Sequence, residues 1–141
     1  MKENFYPLTA PQKSIYVTEQ YFANTAINTI CGYTFITDVV NFEMLQKAIL
    51  EMVKSNDAMR LKLVEDKDSV LQYVSDFAPF SMPMVELATK EDLEKKALEM
   101  ANIPFFSRRR EFISIFAFQT TKWFWWFYCK CSSFNSEILG L

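Results

Sequence analysis

The chain has 141 residues, of which 50% are apolar and 23% are charged, and it carries 15 Lys and Arg against 17 Asp and Glu. These values fit one globular domain with a single hydrophobic core and exclude a disordered tail. The formal net charge is −2, and the only basic cluster is the three arginines at residues 108–110. A cluster this short argues against a nucleic-acid partner.

The apolar segments are too short for a membrane or secretory role. The start of the chain, MKENFYPLTAPQKSIY, lacks the apolar stretch of a signal peptide, and the longest apolar run, residues 123–129, is too short to cross a bilayer. We therefore predict a cytoplasmic protein.

The three cysteines, Cys31, Cys129 and Cys131, stand in a chain that contains no histidine. Without histidine to complete a metal site, free thiols are favoured over zinc ligands. Histidine is also the commonest general base near neutral pH. Any enzymatic function must therefore be explained without it.

The first predicted elements are a helix, a strand and a second helix. Thr9 and Gln12 have the spacing of a capping box, which predicts a helix ending near Phe22. Residues 27–38, INTICGYTFITD, alternate as a strand does. Asn41 is placed to cap a second helix that ends near residues 55–57. Its predicted apolar face comprises Phe42, Leu45, Ile49, Met52 and Val53.

The next predicted elements are a hairpin, a strand and a third helix. Strands at residues 59–64 and 70–74 flank the charged turn EDKD, and a further strand is expected near residues 84–86. Thr89 is placed to cap a helix that runs to about Ala101. With no internal repeat and no linker, the order indicates one domain or a piece of one.

Two motifs resemble those of a known enzyme family. YPLTAPQKSIYVTEQY, residues 6–21, is similar to the opening motif of the condensation domains of nonribosomal peptide synthetases. That motif pairs a Ser or Thr with a nearby Gln, here Gln12, and follows it with an apolar and aromatic step, here Ile15 and Tyr16.

The second motif of this family has the form Arg-His-Glu-x-x-Arg, and KSNDAMR, residues 54–60, is similar to it. Arg60 matches the final arginine and Asp57 stands at the glutamate, whereas Lys54 and Asn56 depart from the pattern. We expect Gln12, Tyr16 and Arg60 to be structural residues of their motifs, with Gln12 capping its helix and Arg60 paired with a carboxylate inside the lobe.

The resemblance covers about residues 5–106 and implies the amino-terminal lobe of the chloramphenicol acetyltransferase-like fold. This is an α/β (α+β) two-layer sandwich, for which we expect a mixed sheet with helices packed on one face. The implied chemistry is attack of an acceptor amine on a donor thioester. Both substrates are carried on the phosphopantetheine of carrier domains, so the implied partners are carrier domains and adenylation modules, and the lobe itself is expected to bind no cofactor and no metal.

The third family motif, His-His-x-x-x-Asp-Gly, supplies the catalytic histidine and should fall near KCSSFNSEILG, residues 130–140. Ser132 and Ser133 stand in the two histidine positions. We therefore assign no catalytic residue, because the family histidine position is occupied by Ser133.

The aromatic segment KWFWWFYCKCSSFN, residues 122–135, is explained by a change of reading frame. The Trp codon is TGG, and Trp123, Trp125 and Trp126 each precede a codon that begins with T, so reading one base later turns all three into glycine. The same shift permits NGFGGFIVNVHHLI, which restores a histidine pair at the expected place. We predict that the sequence leaves its ancestral frame near Phe106 or Ser107 and that residues 107–141 form an aberrant aromatic-rich tail.

Three functional hypotheses follow. The first is a decayed or truncated condensation domain, inactive as it stands. The alternative is a non-catalytic interaction module that docks to a synthetase or carrier domain and forms a dimer through the aromatic tail. Exposed sheet edges are a separate expected route to self-association. The third, membrane attachment through the aromatic segment, is weaker, because a frame slip explains the aromatic bias, the missing histidine and the motif position together.

Overall fold

Helices and strands alternate along the chain in the computed structural model, which describes residues 4–36, 40–66, 69–104, 113–120 and 125–132. The elements within these residues are β1 (Tyr6–Pro7), α1 (Ala10–Tyr21), β2 (Thr29–Ile36), α2 (Phe42–Ser55), a 3-10 turn (Asp57–Arg60), β3 (Leu61–Asp66), β4 (Ser69–Val74), β5 (Met84–Leu87), α3 (Lys90–Ala101), β6 (Ile113–Thr120) and β7 (Trp125–Ser132).

Polar side chains begin each helix, as the sequence predicts. Thr9 Oγ1 accepts from the Gln12 amide at 3.4 Å while Gln12 Oε1 accepts from the Thr9 amide at 2.9 Å, which completes a capping box. Asn41 caps α2, and Thr89 forms a second capping box at the start of α3. The three predicted caps are confirmed, and the helices end at or within a residue of the expected positions.

A three-stranded antiparallel sheet has the order β1-β4-β3. Its hairpin of β3 and β4 was predicted, but residues 59–60 belong to the 3-10 turn, and Glu65 and Asp66 of the predicted turn extend β3 instead. The short strand β1 was not predicted, and it pairs Tyr6 with Gln72 and Pro7 with Leu71. Proline has no amide hydrogen to donate, so its place on an edge strand costs the sheet little.

A four-stranded mixed sheet has the order β2-β7-β6-β5. β5 and β6 run parallel, whereas β7 pairs antiparallel with β6 on one side and with β2 on the other. Because β6 has a paired strand on each side and a helix over each face, its central residues Ala117 and Phe118 are fully buried.

The two faces of this mixed sheet are covered by different helices. On one face, α3 packs Leu93 and Ala97 against Phe118, and on the other, α2 packs Ile49 against Ala117. Successive residues of a strand point to opposite faces, so apolar residues at both positions require a cover on both sides. The mixed α/β fold class is confirmed, but our expectation that the helices lie on one face is corrected to one helix on each.

Another difference from expectation lies in α2. Phe42, Leu45 and Val53 pack against the cluster around Ile49, whereas Met52 is 41% exposed. At about 100° per residue, Met52 is the outermost residue of the predicted face, roughly 60° from Ile49 and about 20° beyond Leu45, so it lies at the edge of the contact.

Helix α1 packs on the three-stranded sheet. Its residues Ile15 and Tyr16 contact the buried cluster of Leu8 and Leu63.

Candidate functional site

Gln12, the central residue of the first motif, lies in a buried pair of side-chain amides. Gln12 is 1% exposed and Gln72, on β4, is 8% exposed. Gln12 Nε2 donates to Gln72 Oε1 at 2.9 Å, and Gln72 Nε2 donates back to Gln12 Oε1 at 3.0 Å. Gln72 Nε2 also donates to the Pro7 carbonyl at 3.1 Å. The pair therefore joins α1, β4 and β1 at one point.

This arrangement explains why glutamine suits the position. A buried amide is costly unless its donors and acceptors are paired. The Gln12 carbonyl oxygen accepts two hydrogen bonds, from the Thr9 amide and from Gln72, while its amide donates a third. A carboxylate could not donate, and an aliphatic side chain would leave Gln72 Oε1 and the Thr9 amide without the partners described here.

Tyr16, the aromatic residue of the first motif, has an apolar and a polar contact. Its ring packs beside Leu8 and Leu63, and its hydroxyl donates to Glu65 Oε1 at 3.2 Å. Because Glu65 is exposed on β3, this hydrogen bond lies at the surface. Tyr16 thus connects α1 to the hairpin, as Gln12 does one turn earlier.

Arg60, the final residue of the second motif, is held by contacts within the lobe. Its NH1 donates to the Ser75 carbonyl at 2.8 Å, and its NH2 pairs with the Asp57 carboxylate. The Ser75 amide and hydroxyl donate in return to the Arg60 carbonyl, each at 3.0 Å. The arginine thereby ties the 3-10 turn to the end of β4. Asp57, its partner, is the residue at the position of the motif glutamate.

The predicted position of the catalytic motif begins at the end of β7. Ser132 is the last residue of that strand and pairs with Thr29 at the start of β2. Ser133 lies outside the described residues, so the assignment of the histidine position to Ser133 stays a prediction. The strand that leads to this position nevertheless has a fixed neighbour, the first residues of β2.

Next to that neighbour lies a buried polar pair that our sequence analysis missed. Glu19, in the last turns of α1, is 4% exposed, and burial raises the pKa of its carboxyl. The Asn28 side-chain amide faces it and lowers the pKa in part. The signal was present in the sequence, because Gln12, Tyr16 and Glu19 follow helical steps of four and three residues and so share the inward face of α1.

The described residues contain no group of three or more His, Cys, Asp or Glu side chains that could hold a metal ion. No α-helix in the described part of the chain combines the length and apolar character needed to cross a bilayer.

Comparison with known proteins agrees with the fold and the motifs. The family described as "Condensation domain" matches residues 2–129, and the chain therefore belongs to the condensation domain family. Surfactin synthase subunit 1 of Bacillus subtilis is 34% identical over 95 residues, and enterobactin synthase component F of Escherichia coli is 28% identical over 87. These alignments cover 65% and 61% of the chain.

Solved structures show the same fold. The starter condensation domain of rhizomide synthetase RzmA matches with a TM-score of 0.81 at 20% identity over 93% of the chain. The first condensation domain of the calcium-dependent antibiotic synthetase, solved with a substrate analogue, matches with a TM-score of 0.80 at 11% identity over 92% of the chain. The chain spans 34% of each of these two structures, and 3% and 7% of the two curated relatives.

Proposed function

We propose that the chain forms the amino-terminal lobe of a nonribosomal peptide synthetase condensation domain whose ancestral reaction is amide-bond formation between carrier-bound aminoacyl or peptidyl thioesters. We further propose that the chain as it stands is inactive. The first statement is supported by the family match over residues 2–129. The second is carried by the absence of histidine from all 141 residues, combined with Ser132 and Ser133 at the place where the family motif is expected to begin.

The chemical reason for inactivity is the loss of an imidazole. The attacking amine must be oriented toward the thioester and must lose a proton as the new bond forms. A serine hydroxyl, with no adjacent base in this chain's motif, accepts that proton poorly at neutral pH. General acid–base assistance is worth about 10²–10⁴-fold in rate. A domain without it can accelerate amide formation only by holding the two substrates close together.

We propose that a one-base frame slip near Phe106 or Ser107 caused this loss, so that residues 5–106 keep the ancestral sequence and residues 107–141 do not. The family match reaches residue 129 and includes β6. Because that match concerns the sequence as it stands, it lends no support to the slip, which rests on the tryptophan codons and on the histidine pair of the shifted reading. Resequencing the locus tests the slip: a corrected frame should encode the histidine pair, and a shifted frame without the pair would refute the slip.

Carrier domains and adenylation modules of a synthetase are the partners that this function requires, with substrates delivered on phosphopantetheine in the cytoplasm. The curated relatives are synthetases, which supports this assignment in general terms.

A second function is favoured by exposed apolar residues on α1. Val17 is 56% exposed and Tyr21 is 84% exposed, and they lie four residues apart on the outer face. An interaction module that docks to a synthetase or to a second copy of the chain would use such residues. Sedimentation over a range of protein concentrations, with and without loaded carrier domains, separates the two functions. A mass that rises with concentration supports the interaction module. A chain that stays monomeric and does not bind loaded carrier domains excludes it.

A further inference from the structure

The outer strands of the two described sheets differ in how they are protected from pairing with another chain. An outer strand presents a row of unpaired backbone amides and carbonyls, and proteins protect such edges with charged residues, proline or short length. Strand β1 has two residues and includes Pro7, and β5 has four residues and includes Glu86. Strand β3 carries Lys62 and Glu65. Each of these three edges therefore has a known form of protection.

Strand β2, the fourth outer strand, has none of these features. It runs for eight residues, Thr29–Ile36, and its sequence TICGYTFI contains no charge and no proline. Strand β7 pairs with one side of β2, and no strand of the described sheets pairs with the other side. Within the part of the chain that the structure describes, β2 is thus the longest outer strand and the one without protection.

The middle of β2 is open on both faces. Gly32 is connected through the β7 register to Ile115 and so lies on the face that α2 covers, yet it is exposed. No atom beyond its chain neighbours lies within 4 Å of the place that a Cβ would occupy. On the opposite face Tyr33 is 51% exposed, although Cys31 packs against the cluster under α3. A further strand therefore has room for its side chains at the centre of this edge.

We propose that β2 is a pairing edge and that its partner is β2 of a second copy of the chain, joined antiparallel about a twofold axis. Symmetric pairing brings identical side chains close together, so a charged strand would place like charges near each other. The uncharged β2 avoids this repulsion. The proposal rests on the second function above, the interaction module, only in that it names the surface through which two copies meet.

Symmetric pairing also limits the assembly to two chains. A twofold interface uses the same surface on both copies and is closed once it forms. The joined sheet then has β5 as its outer strand at both ends, and β5 is short and carries Glu86. The dimer therefore leaves no unprotected edge in this sheet, so growth into a filament is not expected.

The centre of the pairing follows from the symmetry of the strand. In a symmetric antiparallel pair one residue faces its own copy, and the midpoint of β2 lies between Gly32 and Tyr33. Full overlap therefore centres on one of these two residues. Gly32 then faces either the second copy's Gly32 directly or its Thr34, with Gly32 of that copy one diagonal position away. A charge introduced at position 32 consequently meets the same charge in the second copy.

Sedimentation equilibrium of the full chain tests the proposal. Gly32→Lys and Gly32→Glu each place like charges at the centre of the pairing, and the open space beside Gly32 accommodates either side chain. Met84→Lys is the matched control, because Met84 is 42% exposed on β5, the outer strand at the other end of the same sheet. Tyr21→Lys, at a site on α1 that is 84% exposed, tests the competing contact through that helix.

The wild-type mass should rise with concentration and level off at that of a dimer. Each substitution of Gly32 should raise the dimer Kd at least about tenfold, because like charges are brought together at the interface. An equimolar mixture of Gly32→Lys and Gly32→Glu should restore dimers, which also shows that both variants are folded. Met84→Lys and Tyr21→Lys should leave the Kd unchanged.

A wild-type chain that stays monomeric, or one whose mass grows beyond a dimer, would overturn the proposal. A Gly32→Lys variant that dimerises as tightly as wild type would do the same, as would a mixture that dimerises no better than either variant alone. Loss of the dimer in Tyr21→Lys would assign the contact to α1 instead of β2. Binding to loaded carrier domains and amide formation are measured in separate assays, so their failure is distinct from failure of the dimer.

Discussion

Replacing the buried glutamines should reveal a strongly coupled pair. Gln72→Leu removes three hydrogen bonds, two to Gln12 and one to the Pro7 carbonyl, and leaves the Gln12 amide group buried without that partner. Gln12→Leu removes the same two bonds and the bond from the Thr9 amide. At about 0.5–1.5 kcal/mol for each net hydrogen bond, the loss of three bonds should lower the free energy of unfolding by about 1.5–4.5 kcal/mol in each single substitution.

The double substitution should cost much less than the sum, because no orphaned glutamine amide then remains. We expect a coupling energy between Gln12 and Gln72 of about 1–3 kcal/mol, in the range seen for residues that share a hydrogen-bond network. Urea unfolding followed by pulse proteolysis at low protein concentration measures this while limiting aggregation. Lys96→Ala, which removes an exposed ion pair, is the control and should cost less than about 0.5 kcal/mol. Additivity within about 0.5 kcal/mol would refute the reasoning.

Three further predictions use the same unfolding assay. Burial raises the pKa of Glu19 above 4.5, so the protonated carboxyl favours folding at low pH, and this contribution is lost as the pH rises through the raised pKa. Glu19→Gln should therefore be more stable than wild type at neutral pH. The same pH dependence of stability in both chains would contradict this prediction. Phe118→Ala should cost about 3–5 kcal/mol, whereas Leu98→Ala, at a site 65% exposed, should cost under about 0.5 kcal/mol, and similar costs at the two sites would contradict the described core. Arg60→Lys should lower the free energy of unfolding by about 1–2 kcal/mol, because a single ammonium cannot keep the contacts with both the Ser75 carbonyl and Asp57. Asp57→Asn should cost less, because the Asp57 side chain is 75% exposed. A larger cost for Asp57→Asn than for Arg60→Lys would show that the Ser75 contact contributes little.

Local signals made most of the elements predictable. Capping residues and apolar periodicity act over three to eight residues, so Thr9, Asn41 and Thr89 located the helix starts. The alternation in β2 and the charged turn between β3 and β4 likewise depend on neighbours in sequence. The fold class followed from the order of these elements and from the resemblance of two motifs.

Long-range pairing was not predictable in the same way. Gln12 and Gln72 are 60 residues apart, and nothing in either local pattern indicates the other. The two-residue strand β1 forms through backbone pairing with the edge of β4, which is more than 60 residues away in sequence. The placement of helices on both faces depends on β6 lying at the centre of the sheet, where Ala117 and Phe118 are both covered.

The candidate site was predictable in part. The motifs identified Gln12, Tyr16 and Arg60, and the structure places all three in contacts that join α1 or the 3-10 turn to the hairpin. Glu19 was passed over, because a charged residue in a surface helix is usually solvated. Its burial becomes apparent only once the turn after α1 brings Asn28 against it.

The most direct test of the account is an assay of amide formation from two carrier domains loaded with aminoacyl thioesters. Three proteins are compared: the chain as it stands, the chain with Ser133→His, and the frame-restored domain extended through the second lobe of the family. We predict product only with the third, because one histidine without the Asp and Gly of the family motif is held too loosely to assist. Product from either of the first two would contradict the central claim that this chain has lost the catalytic centre of its family.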